Sequence, residues 1–307
     1  MKLAFLYAGQ GSQHKGMGKD MYEADEAFRA AFDSASLDFD LKTLCFEDPE
    51  EQINLTQYTQ PCMTAFACGM TAALAARGVR PDYVAGLSLG EYGALQCAGV
   101  FTPAQAIELT AFRGKAMTKA AEGIDCGMTA VLALDRDKLQ ECCDAASDLG
   151  VVQICNYNCP GQLVIGGESA ALAKAGELAK AAGAKRCMPL KVSGPFHTSL
   201  MKPAGDALRE RFESESFGEM QIPVLFNCLG CEKSEEDTIP ALLERQVQSS
   251  VYMEDTIRRL AELGVEAIVE IGPGKALSGF VKKTCKEIPC YAVETVEDLN
   301  KLMEVLA

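Results

Sequence analysis

The stretch V-A-G-L-S-L-G-E-Y-G-A-L, residues 84–95, sets an apolar run against a helical pattern with a serine at the joint. Tyr83–Leu87 reads as a short buried strand, and Glu91–Cys97 continues as a helix whose Gly93 and Ala94 permit close packing. Gly86, Ser88 and Gly90 take the spacing Gly-x-Ser-x-Gly, which at a strand–turn–helix joint is the arrangement of a nucleophile elbow. The N-terminus of the helix would aim backbone N–H groups at an oxyanion forming beside Ser88. The spacing alone is weak, because two loop glycines around an inert serine give the same letters.

Working outward, Lys2–Ala8 and Val265–Ile271 are further short apolar runs that end in glycine-containing turns and lead into helical patterns. Helices are expected at Pro61–Arg77, Pro103–Ala120 and Ser250–Leu263, the second with Thr102 as N-cap and Pro103 in its first position. Strands alternating with helices in this way indicate a parallel α/β sheet. The middle of the chain reads differently. Met128–Leu134 is strand-like, Lys138–Leu149 helical, Val151–Asn156 and Leu163–Gly167 are strands, Ala170–Ala182 is a helix and Lys185–Val192 a last strand. That order, β-α-β-β-α-β, is the ferredoxin-like pattern. The expected organisation is therefore a large α/β domain from residues 1–125 and 194–307, interrupted by a small ferredoxin-like domain at 126–193.

The chain has 307 residues, 48% hydrophobic and 23% charged, as in an ordinary globular protein with room for a substantial core. The opening M-K-L-A-F-L-Y-A runs straight into polar G-Q-G-S-Q, which suits a buried first strand better than a signal segment. No apolar run approaches membrane-spanning length. The 14 cysteines are then most simply reduced thiols in the cytoplasm, largely serving as small core residues. Cys228 and Cys231 form the one C-x-x-C, without a second pair, so no metal site is expected. A net charge of −14 argues against nucleic acid as a partner.

A serine nucleophile needs a base, usually histidine. The sequence offers two, His14 and His197. Either alone could be a surface or core histidine; His197 is preferred because it lies where the insert returns to the main domain, and clefts form at such junctions. The loop Gly9–Gly18, G-Q-G-S-Q-H-K-G-M-G, invites a nucleotide-binding reading and fails it. G-x-G-x-x-G would need glycine at His14, and a phosphate-binding loop of the Walker type would need glycine at Gln13 and Ser or Thr at Asp20. Following the first strand, the loop instead lies where oxyanion-hole amides would be found.

G-Q-G-S-Q after the first strand, G-L-S-L-G-E, A-F-R-G-K-A-M and G-P-F-H-T occur here in this order, with N-Y-N-C-P-G-Q-L-V-I-G-G, I-P-V-L-F-N and V-E-I-G-P-G-K besides. From Lys2 to about Glu294 the chain resembles the malonyl-CoA:acyl-carrier-protein transacylase family. The resemblance implies a hydrolase-like α/β domain with the ferredoxin-like insert, and a ping-pong transfer of malonyl from malonyl-CoA to the phosphopantetheine thiol of acyl carrier protein. Ser88 would be the nucleophile, His197 its base, and Gln246 the residue whose carbonyl orients the histidine. Backbone amides of Gln10 and Leu89 would form the oxyanion hole. Arg113, which by itself reads as a solvated helix arginine, would hold the malonyl carboxylate, and Phe196 would shape the pocket beside it. No permanently bound cofactor is implied, and a monomer is expected.

Some residues depart from the family pattern. Leu87 replaces the usual histidine before the nucleophile, and Ala8 replaces a common proline. Ser249, Ser250 and Met253 stand where Asn-Pro and a later tryptophan are frequent. Rival readings are a serine thioesterase or esterase, which needs no carboxylate clamp, a polyketide-type acyltransferase, and a non-catalytic carrier-protein or CoA-binding module. Acyl carrier proteins are acidic, so docking would use local basic groups: Lys282, Lys283 and Lys286, or Lys185, Arg186 and Lys191.

Overall fold

The computed structural model describes residues 1–306. The chain divides into two compact units. One comprises Met1–Gly114, Ser216–Phe226 and the chain from Arg258 onward; the other comprises Lys115–Glu215 and Asn227–Ile257. The expected insert, residues 126–193, lies inside the second unit. The strands are β1 (Leu3–Tyr7), β2 (Tyr83–Gly86), β3 (Cys126–Leu132), β4 (Val152–Cys159), β5 (Gln162–Glu168), β6 (Arg186–Pro189), β7 (Val224–Phe226), β8 (Cys231–Glu232), β9 (Ala267–Ile271) and β10 (Cys290–Val293).

In the first unit the strands run β10-β9-β1-β2-β7, every neighbouring pair parallel. All five residues of β1 are buried, as befits a central strand covered on both faces. Tyr7 pairs with Gly86 on one side and Ile271 on the other, so β1, β2 and β9 end level. The loops that follow them therefore open on one edge, the carboxyl edge where parallel sheets place ligands. A helix at Thr56–Ala76, buried along most of its length, belongs to this unit. It starts five residues before the expected Pro61, which sits in its second turn. Proline there removes the N–H that would bond the Gln57 carbonyl, yet the helix runs through it, buried along most of its length, so the proline signal marked the wrong boundary. Pro103–Ala121 begins as expected, with Thr102 Oγ1 accepting the Gln105 N–H at 3.2 Å.

In the second unit β4-β5-β3-β6 form an antiparallel sheet. Helices at Arg136–Asp144 and Ser169–Ala181 pack with it around Val131, Leu139, Ile154, Ile165 and Ala175. The first of these stops at Asp144, short of the expected Leu149; a separate 3₁₀ turn occupies Ser147–Leu149. Strand β6 covers only the middle of the expected Lys185–Val192 and ends at Pro189. An edge strand accommodates proline because one side of its backbone needs no ladder partner.

Candidate active site

The turn after β2 is set by steric demand. Ser88 has φ +54°, a left-handed conformation that costs a non-glycine residue about 1–2 kcal/mol. The residues two positions away on either side are glycines because the backbone passes too close to itself for anything larger. A Cβ on Gly86 would lie 2.0 Å from the Gly90 carbonyl carbon, and one on Gly90 would lie 2.3 Å from the Tyr7 carbonyl oxygen. The helix Gly90–Cys97 follows at once, with Glu91 N–H donating to the Ser88 carbonyl at 3.1 Å. The serine thus sits on a strained strand-to-helix turn at the carboxyl edge of the sheet, which is the geometry an exposed nucleophile requires.

Leu89 is the N-cap residue of that helix, and Gln10 follows β1 as Leu89 follows β2. Because the two strands are register neighbours, both residues come from adjacent strand ends. The Gln10 side chain is anchored by its Nε2 donating to Thr56 Oγ1 at 3.1 Å.

Arg113 is fully buried, which overturns the solvated reading its sequence position gave by itself. Nη2 donates to Ser88 Oγ at 3.1 Å and Nη1 donates to Gln60 Oε1 at 2.8 Å. The guanidinium also lies over the Tyr92 ring, 5.7 Å from its centroid. Burial pulls the Arg113 pKa down, and the neighbouring Tyr92 and Glu91 act against that pull. A guanidinium remains charged even when its pKa falls, so a fixed positive charge is held against the serine hydroxyl.

In the second unit His197 is 4% exposed and has φ +61°, another strained non-glycine residue. Its Nδ1 is 2.9 Å from the main-chain carbonyl of buried Gln246. A carbonyl can only accept, so Nδ1 donates, and in the neutral ring Nε2 then carries the lone pair a general base needs. The loop after Gln246 is pinned where the family pattern is lost: Ser249 Oγ donates to the Arg245 carbonyl at 2.8 Å, and Ser250 Oγ to the Ile154 carbonyl at 2.7 Å. Met253 is buried at the head of the next helix. Phe196 is buried beside the histidine, and its ring leaves no space for a Cβ on Gly194.

The rival histidine is engaged elsewhere. His14 is half exposed, with Nδ1 3.0 Å from the Lys15 carbonyl and Nε2 2.5 Å from Glu294. Burial would lower its pKa, but those hydrogen bonds and the Glu294 charge raise it overall. Cys228 has its Sγ 3.7 Å from the Leu242 carbonyl. No group of three or more His, Cys, Asp or Glu suited to a metal occurs among the described residues.

Ser88, Leu89, Gln10 and Arg113 thus belong to the first unit, where Arg113 meets Ser88 directly; His197, Gln246 and Phe196 belong to the second, where the histidine meets the Gln246 carbonyl. Sequence reasoning missed Gln60 and Tyr92, which also meet the guanidinium. Starting the helix at Pro61 left Gln60 in a loop. Tyr92 had a signal, since on a helix beginning at Gly90 it stands one turn beyond Ser88.

Comparison with known proteins matches residues 4–302 to the acyl transferase domain family. The malonyl CoA-acyl carrier protein transacylase of Bacillus subtilis (strain 168) is 39% identical over 308 residues, covering 99% of this chain and 97% of that one. A crystal structure of the transacylase of that name from Clostridium perfringens is 41% identical with TM-score 0.96, covering 100% of this chain and 97% of that one. A solved complex of a type II PKS acyl-carrier protein with its malonyl-transacylase matches at 38% identity and TM-score 0.94, covering 99% of this chain and 100% of that one.

Proposed function

Since this chain belongs to the malonyl CoA-acyl carrier protein transacylase family, we propose that it transfers malonyl from malonyl-CoA to the phosphopantetheine thiol of acyl carrier protein, supplying fatty-acid chain elongation. Ser88 Oγ attacks the thioester carbonyl as His197 Nε2 takes its proton. The backbone N–H groups of Gln10 and Leu89 donate to the oxyanion of the tetrahedral intermediate. Collapse breaks the carbon–sulfur bond, and the departing CoA thiolate recovers the proton from His197. This leaves malonyl as an ester on Ser88. The carrier-protein thiol then gives its proton to His197 and attacks the ester; the carbon–oxygen bond to Ser88 breaks, and Ser88 Oγ takes the proton back from His197.

The observation that carries this reading is the contact between Arg113 and Ser88 Oγ. In a malonyl thioester the carboxylate carbon is two carbon–carbon bonds of about 1.5 Å each from the carbonyl carbon. A guanidinium touching the nucleophile is therefore one short acyl group away from the reacting centre. A thioesterase for long or neutral acyl chains has no use for a buried charge there. Carboxylate and guanidinium can pair bidentately, which lysine cannot reproduce.

The strand order of the second unit supports reading its sheet as ferredoxin-like, and the elbow on a parallel sheet supports a hydrolase-like first unit. On that reading the boundaries fall at residues 125/126 and 193/194. The fourteen free thiols suit the cytoplasm, and no helix among the described residues is long and apolar enough to cross a membrane. For carrier-protein docking, both lysine-rich groups singled out from the sequence are exposed.

The test is intact mass and peptide mapping after brief mixing with malonyl-CoA, for wild type and Ser88→Ala. A malonyl adduct on the Ser88 peptide, absent from the variant and discharged by carrier protein, is the expected result. Hydrolysis of malonyl-CoA with no transfer to carrier protein would make the protein a thioesterase instead.

A further inference from the structure

We infer that Tyr92 is a positioning residue for malonyl selectivity, its ring face holding the Arg113 guanidinium in the orientation that receives the substrate carboxylate. The inference rests on the reading of Arg113 given above and deepens it. Arg113 is large, flexible and fully buried, and a guanidinium selects a carboxylate only if its fork is held at a fixed angle. Hydrogen bonds to Ser88 and Gln60 fix two of its nitrogens within the guanidinium plane. They leave tilt about the line between those contacts unconstrained. The Tyr92 ring, its centroid 5.7 Å from the guanidinium carbon, restrains that tilt from one face.

That ring is itself held. Tyr92 stacks on Phe101 with centroids 6.1 Å apart and planes 15° from parallel, and Phe101 packs on Phe217 at 5.3 Å. An aromatic column thus runs to the guanidinium within the first unit, and Tyr92 joins it to the helix that begins just after the nucleophile. The Tyr92 hydroxyl is enclosed without a hydrogen-bond partner. A buried hydroxyl without a partner is a cost to the fold, so the side chain is not retained here for a hydrogen bond. What remains is the ring, whose negative face attracts a desolvated cation and leaves the edge of the guanidinium available.

The test replaces Tyr92 with phenylalanine and then with phenylalanines carrying one, two and three ring fluorines, which withdraw charge from the ring face at nearly constant shape. Initial rates with malonyl-CoA and acetyl-CoA are measured for each, with Arg113→Ala in parallel. Tyr92→Phe should keep the malonyl preference. Along the fluorinated series KM for malonyl-CoA should rise by on the order of tenfold in all, with kcat nearly constant and acetyl-CoA kinetics unmoved. A merely structural ring would leave the series flat or weaken both substrates together, and either result overturns the inference. If Arg113→Ala leaves the malonyl-to-acetyl ratio unchanged, the reading of Arg113 itself fails. If Arg113→Ala abolishes that ratio while the fluorinated series stays flat, only the role of Tyr92 fails.

Discussion

Replacing Gly90 with alanine adds one carbon where the backbone leaves no room for it. The new Cβ would lie 2.3 Å from the Tyr7 carbonyl oxygen and 2.9 Å from that of Ala8. Gly90 is not among the residues with positive φ, so its conformation suits alanine and space alone opposes the change. Both obstacles are backbone, and no rotamer relieves them. About 1 Å must come from displacing the end of β1 or the start of the helix Gly90–Cys97. Overpacking costs about 1–3 kcal/mol, with a backbone obstacle toward the upper end, and at the first helical residue the better propensity of alanine offsets less than the ~1 kcal/mol of a helix interior. A net loss of ~2 kcal/mol should lower Tm by several degrees. The larger effect falls on catalysis, because Gln10 lies three residues beyond Tyr7. A shift of that size in the oxyanion-hole donor proposed above would cost on the order of 10²-fold in rate. Thermal melts and the rapid-quench rate of Ser88 acylation would measure both. Gly279→Ala is the control: it lies in the helix Ala276–Thr284 with nothing within 4 Å of the added carbon, and should stabilise by up to about 1 kcal/mol without touching the rate. If Gly90→Ala acylates at the wild-type rate, the turn is more pliable than this reasoning allows and the close approach does not set the geometry of the site.

Three further expectations follow from individual contacts. Asp25 caps the helix Glu26–Phe32, accepting the Phe28 N–H at 2.8 Å, and pairs with Arg77 Nη1 at 2.6 Å. Burial works against its charge, but these hydrogen bonds and Arg77 hold its pKa below the ordinary value. Asp25→Ala should cost about 1 kcal/mol at neutral pH, and its difference in Tm from wild type should shrink as pH falls from about 4, where the unfolded carboxylate protonates, through the lower native value. His14 should titrate above the usual value near 6.5 in NMR, and Glu294→Gln should bring it back down. Any stability from that pair is present in full below about pH 6.5 and is lost as pH rises through the native value; a His14 that titrates normally would refute the contact. Charge reversal at Lys282, Lys283 and Lys286, or at Lys185, Arg186 and Lys191, should raise KM for carrier protein without changing malonyl-CoA hydrolysis, and no change at either group would place docking elsewhere.

The alternation of elements, the turn at Ser88 and the choice between two histidines were all readable from short stretches of sequence. Periodicity and glycine placement are local properties, written within a few residues of where they act. The strand–glycine–serine–glycine–helix joint was legible for that reason, and so were the β-α-β-β-α-β run and the Thr102 cap. Boundaries were less legible. Pro61 pointed to a helix start that packing overrode, and with it Gln60 was lost. The surroundings of Arg113 were decided by tertiary structure alone. On the helix Pro103–Ala121 it looks like any arginine between a phenylalanine and a glycine, and only the family resemblance gave it a role. Its burial, the contact with Ser88, the Gln60 carbonyl and the Tyr92 ring bring together residues from three separate helices and a strand end. A buried charge is tolerable only when distant segments converge to satisfy it, and no window of sequence contains that convergence.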